Sequence, residues 1–89
     1  MTKFPVGRTV ATRGALQFLE ENGIRPASLI RRHQCGDYGD LTLRDRKAND
    51  DAIVDGARIL SGYKVGEVKV YVITEADRSM TTVLLASEY

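Results

Sequence analysis

Apolar residues along this chain keep two different periods, and the change falls near Gly56. Before it they recur every three to four residues, the spacing of one helical face. Ala15, Leu16 and Leu19, with Phe18 beside them, mark a first helix from about Arg13. Thr12 stands where its cap belongs, and Gly23 where it should stop. A second, short helix is predicted over PASLIRRHQ, with Pro26 in its first turn and Leu29 and Ile30 facing inward. Thr42, followed three residues later by Asp45, has the spacing of a capping box. It opens a third helix from about Leu43 to Asp55 that would bury Ala48, Ala52 and Ile53. After Gly56 the period becomes two. ARILSGYKV, EVKVYVITE and MTTVLLASE are rich in β-branched and aromatic residues and are separated by short breaks at VGE and EADRS. That pattern reads as an antiparallel meander. The expected fold is α+β: two or three N-terminal helices packed on one face of a three-stranded antiparallel meander. PVGRTVAT adds a β-prone run suited to an extra N-terminal edge strand.

Composition narrows what such a domain can be. The 89 residues hold one domain, 1–89, and 43% hydrophobic with 28% charged residues belongs to globular chains. No apolar run approaches the ~20 residues of a membrane span, and MTKFPVGRTV has no apolar signal core, so the cytoplasm is the expected location. Cys35 is the only cysteine and His33 the only histidine, which rules out an internal disulfide and a zinc site made by those two alone. No glycine-rich phosphate loop or dinucleotide fingerprint is present, and the aspartates lack the alternation and closing Glu of a calcium loop. Neither a metal nor a cofactor is expected. A net charge of +1 argues against nucleic acid as a partner. Its distribution is uneven: six basic against two acidic side chains in residues 1–36, seven against ten thereafter, or +4 and −3. Such a split can steer a charged partner.

Two polar clusters carry the candidate chemistry. In HQCGDYGD, His33 and Asp37 could form a general base with its orienting carboxylate, but Gly36 interrupts the helical spacing between them. The competing reading places His33 in a helix's last turn, where an imidazolium complements the dipole. Cys35 beside His33 has the ingredients of an activated thiolate, or is a small apolar filler. GDYGD reads chiefly as a turn between helices, with Tyr38 packed inward and Gly36 or Gly39 left-handed. In ITEADRSMTT, Arg78 at a hairpin tip could clamp an anion. The competing reading has Asp77 accepting backbone bonds in the turn while Arg78 pairs with Glu75. Thr74 shares a strand face with Val68, Val70 and Val72, and Glu75 shares the Lys69, Tyr71 and Ile73 face. Both faces turn polar towards EADRS, which makes that end the expected border of the functional surface. The candidate binding residues are Arg78, Glu75, Asp77, His33, Asp37 and Tyr38; none is assigned as catalytic.

HQCGDYGDL, ANDDAIVDGARILSGY and VYVITEADRSMTTVLLASEY together resemble a family of small plasmid-related proteins found on bacterial plasmids and integrated elements. The likeness covers nearly the whole chain, and ITEADRSMTTVLL is its most specific part. The family commonly has Trp where this chain has Tyr38, and Pro near its C-terminal Glu-Tyr, where this chain has Ala86-Ser87. The resemblance implies a mobile-DNA setting. It also picks out His33, Gly36, Asp37, Gly39, Asp40, Asn49 and Arg58, then Ser61, Tyr63, Thr74, Glu75, Arg78, Thr81 and Tyr89. In that setting the expected role is a non-enzymatic accessory protein that binds a host or element-encoded protein, an inhibitor of restriction or CRISPR machinery being one form of it. The alternative is a small hydrolase or transferase using His33, Asp37, Glu75 and Arg78. An enzyme needs those four to converge on a concave pocket, whereas a binding module does not.

Overall fold

A computed structural model describes residues 1–89. In chain order the elements are β1 (Arg8–Ala11), α1 (Arg13–Glu21), α2 (Pro26–Gln34), α3 (Leu43–Asp55), β2 (Ile59–Val65), β3 (Val68–Thr74), β4 (Met80–Leu85) and a closing 3₁₀ turn, Ala86–Glu88. The helix boundaries have local causes. Thr12 Oγ1 accepts the Ala15 N–H at 3.1 Å, and Thr42 Oγ1 accepts the Asp45 N–H at 3.1 Å. Each satisfies one of the donors a helix start leaves open. Pro26 sits at the start of α2, and Gly56 ends α3 in the left-handed region at φ 75°.

The sheet is α+β in the expected sense but has four strands, in the order β1-β4-β3-β2. The β2–β3–β4 meander is antiparallel, and β1 joins as an edge strand parallel to β4, with Arg8 opposite Met80 and Ala11 opposite Val83. The last strand is shorter than its sequence pattern. At Leu85 the chain turns, and Glu88 Oε1 accepts from both the Leu85 N–H (2.8 Å) and the Thr12 hydroxyl (2.7 Å). That ties the C-terminus to the start of α1.

One sheet face carries the core. Val70, Val72 and Val83 pack with Tyr63 against Ala15 and Leu19 of α1 and Leu29 of α2. A second cluster of Phe4, Tyr38, Ala52 and Ile59 lies between the N-terminal segment and α3. The helix α3 departs from its expected packing: Ala48 is exposed, and the buried neighbour is Asn49. A polar residue takes that place because it bonds the sheet edge, as described below. On the opposite face, strand alternation sets Val10, Leu60, Tyr71, Ile73 and Leu84. None of them belongs to either core cluster. Ile73 is nevertheless only 3% exposed. Tyr89 approaches Tyr71 edge-on at 5.6 Å on this side. No helix is long and apolar enough to cross a membrane.

Candidate functional site

His33 lies in the last turn of α2 and is fully buried, its ring facing the inner side of the sheet. Nδ1 is 2.6 Å from Ser61 Oγ on β2, and Nε2 is 2.8 Å from Thr74 Oγ1 on β3. Thr74 Oγ1 is 2.7 Å from Thr81 Oγ1 on β4, and the Thr81 hydroxyl donates to the Val6 carbonyl at 2.8 Å. The end of this chain fixes the direction of its bonds as far as His33 Nε2. A carbonyl only accepts, so Thr81 donates to Val6 and must accept from Thr74. Thr74, its proton used, accepts from His33 Nε2–H. Burial pushes the pKa of the ring down to about 4, so near neutral pH it carries one proton only, the one on Nε2. Nδ1 is then the acceptor of the Ser61 hydroxyl. The expected imidazolium at the helix end is replaced by a neutral ring that joins β2 to β3 and, through Thr74, to β4. Phe4 closes the site edge-on at 5.1 Å.

The GDYGD turn follows directly. Gly36 and Gly39 both adopt positive φ, 88° and 77°, and Tyr38 is buried, as the turn reading required. A Cβ on Gly39 would collide with the Gly62 carbonyl and the Tyr63 ring, so this position needs glycine for space as well as for conformation. The turn lies alongside β2. Gly62 N–H donates to the Tyr38 carbonyl (3.0 Å), and Asp40 N–H donates to the Gly62 carbonyl (2.6 Å). One step along the same edge, the Asn49 carboxamide bonds both backbone groups of Leu60, donating to its carbonyl at 2.7 Å and accepting its N–H at 3.1 Å. Asn49 acts as a one-residue substitute for a neighbouring strand.

Asp37 is held outside the core. Arg32 Nε donates to its Oδ2 at 2.7 Å, and this bond keeps the carboxyl below its usual range and raises the Arg32 guanidinium. The same guanidinium lies over the Tyr63 ring at 4.5 Å. The Tyr63 hydroxyl donates to the Asp37 carbonyl at 2.6 Å, and burial pushes its pKa up to about 12. The Tyr38 hydroxyl donates to Asp50 at 2.9 Å, and burial, then this bond, raises its pKa.

Arg78 is the only non-glycine residue at positive φ, 61°. Its guanidinium turns inward: Nη1 donates to the carbonyls of Ala57 (2.6 Å) and Glu75 (3.1 Å), and Nη2 to that of Ala52 (2.9 Å). These carbonyls include the C-terminal end of α3, where a cation is favoured. The expected side-chain pair with Glu75 is replaced: Glu75 Oε1 pairs with Arg58 Nε at 3.5 Å. Asp77 does accept the turn's Ser79 N–H at 3.0 Å, and bonding to Ser79 lowers its pKa.

No protein-family model, curated protein or solved structure matches the chain. Of the proposed catalytic four, no cavity is lined by more than one: Asp37 borders one opening, Glu75 another, and His33 and Arg78 none. No three metal-ligating side chains cluster, and Cys35 is a half-buried free thiol at the end of α2. What the molecule does bring together is His33, Ser61, Thr74 and Thr81, all buried and all bonded. Residue-by-residue reasoning missed Ser61 and Asn49, and placed Thr81 only among the polar residues of the hairpin turn. Ser61 could have been found, because period two sets it on the inward face between Ile59 and Tyr63. The resemblance picked out all three positions without a role.

Proposed function

We propose that this chain is a non-enzymatic module that binds another protein through the uncovered face of its sheet. This is the accessory role that the likeness to plasmid-related proteins of mobile elements implies. The observation that carries the reading is the row of half-buried apolar side chains on that face, Val10, Leu60, Tyr71 and Leu84, set around the buried Ile73 and outside both core clusters. Strand pairing sets Arg8 and Arg58 at one end of the face and Lys64 and Lys69 at the other. An apolar centre with a charged rim is the ordinary anatomy of a protein-binding surface. The hydrolase alternative lacks a comparable support. Its histidine is buried and committed at both nitrogens, and its arginine is engaged with backbone carbonyls.

The test is affinity capture from a plasmid-bearing bacterial host, using the wild-type chain and a Leu60→Glu, Tyr71→Glu variant of matched melting temperature. A protein retained by the wild type and lost by the variant supports the reading. Equal retention by both overturns it, as does hydrolysis of a nucleotide or ester by the purified chain that His33→Ala abolishes.

A further inference from the structure

The two edges of the sheet are not equivalent. On β2, Leu60 and Gly62 have their outward backbone groups bonded by Asn49, Tyr38 and Asp40. On β1, Arg8 N–H donates to the Ser79 carbonyl and Thr12 N–H to the Val83 carbonyl, so the even-numbered positions face β4. Strand geometry then turns the N–H and C=O of Thr9 and Ala11 away from the sheet. Beside that bare edge runs a cavity of about 170 Å³, lined on one side by β1 and on the other by Pro26, Ala27 and Ile30 of α2. A second opening, lined by Arg25 and Arg31, shares Ala27 with it. No acidic side chain lines either one.

From these features we infer that the β1 edge accepts an extended acidic segment of a partner protein as a fifth strand. The edge adjoins the open face at Val10 but is a separate surface, so the inference stands or falls apart from the proposed face. A four-residue strand pairs weakly by backbone bonds alone, and short edges are an ordinary protection against unwanted pairing. The groove supplies what the short edge lacks. In strand addition the backbone supplies affinity and the pockets for alternate side chains supply specificity. Side chains on one face of the added strand would drop between β1 and α2 onto Ala27 and Ile30, which favours small apolar residues there. Carboxylates flanking them would meet Arg25 and Arg31, and Arg8 at the strand's start. The same charges argue against a second copy of this chain as occupant. Pairing β1 with its own copy would set these arginines near their equivalents, and like charges facing one another are unfavourable.

The experiment is selection from a displayed library of random twelve-residue peptides on the immobilised chain, with titration of the enriched peptides. Two variants accompany it. Thr9→Pro removes one outward N–H while leaving the β1–β4 bonds in place, since an edge strand tolerates proline on its solvent side. Arg25→Glu with Arg31→Glu reverses charge at two exposed positions, one just before α2 and one within it, and serves if the proline variant fails to fold. The expected peptides carry small apolar residues at alternate positions of a short run flanked by Asp or Glu. Their affinity should fall by about tenfold or more in either variant, and should weaken with added salt. Enrichment of basic or patternless peptides overturns the inference, as does no enrichment above the bare support. So does binding that is equal in the wild type and in a folded variant, or self-association of the chain that Thr9→Pro abolishes.

Discussion

Two edges of one four-stranded sheet are finished in opposite ways. The β2 edge is closed by a side chain and a turn: Asn49 bonds Leu60, and residues 38–40 bond Gly62. The β1 edge is left open beside a groove. The contrast shows where this chain uses its polar residues. Asn49 and the GDYGD turn seal one edge, His33 with Ser61, Thr74 and, through Thr74, Thr81 ties the interior together, and Arg78 holds the end of α3. The residues that look most like chemistry in the sequence are the ones the fold consumes. The open sheet face and the open edge are made of ordinary letters, Val, Leu, Ile, Tyr and Thr, with basic residues around them.

The largest expected effect comes from breaking the seal at its tightest point. Gly39→Ala puts a side chain in the left-handed region and against the Gly62 carbonyl, so the turn must leave the β2 edge. Left-handed strain of about 1–2 kcal/mol, with loss of the two bonds to Gly62, gives a total of about 3–5 kcal/mol, read by urea denaturation. Asn49→Ala should cost about 2–4 kcal/mol in the same assay, because it leaves two backbone groups of Leu60 without partners. It should also make the β2 edge resemble β1, and a rise in concentration-dependent association would show that the carboxamide guards against edge pairing.

An acid titration sharpens the comparison from the inside. His33 has a folded pKa of about 4 against an unfolded value near 6.5, so the unfolded chain binds the extra proton first. Stability from this group is complete above pH 6.5, declines as pH falls, and is lost by about pH 4, an overall step of about 3 kcal/mol. Asp37, whose pKa is lowered by Arg32, acts in the lower window, losing its contribution as pH falls below the ordinary carboxylate range. Denaturation at stepped pH should therefore show a slope between pH 6.5 and 4 that His33→Gln removes. A flat profile there would mean the imidazole is not the neutral, buried link described.

Arg78→Ala is expected to have the smallest effect of the series, about 2 kcal/mol: the variant keeps the positive φ and loses bonds to three carbonyls, each charge-assisted but partly open to water. No loss of stability would free Arg78 for the anion-binding role its sequence position suggested.

Much of the fold was legible because its causes are local. Thr12, Thr42 and Gly56 mark helix ends by capping chemistry that acts within a few residues, and the period-two runs mark β2, β3 and β4. The turn geometry of Gly36 and Gly39 was legible for the same reason. Bonds between distant segments were not. His33 meets Ser61 across 28 positions and Thr74 across 41, and nothing local to any of them announces the others. Asn49 is not among the positions the helical spacing marks for burial, because its partners, the N–H and carbonyl of Leu60 at the sheet edge, leave no mark in composition. Arg78 reads as an exposed tip because the backbone turn that swings it towards α3 has a left-handed conformation rare for arginine.

Amide hydrogen exchange by NMR tests the difference between the edges most directly. The account expects the amides of Leu60 and Gly62 to be protected like those between paired strands, because each has an acceptor in Asn49 or Tyr38. Those of Thr9 and Ala11 should exchange nearly as fast as an unfolded chain, while Val10 between them is slower. Protection at Thr9 and Ala11 equal to that at Val10, or free exchange at Leu60 and Gly62, would contradict it.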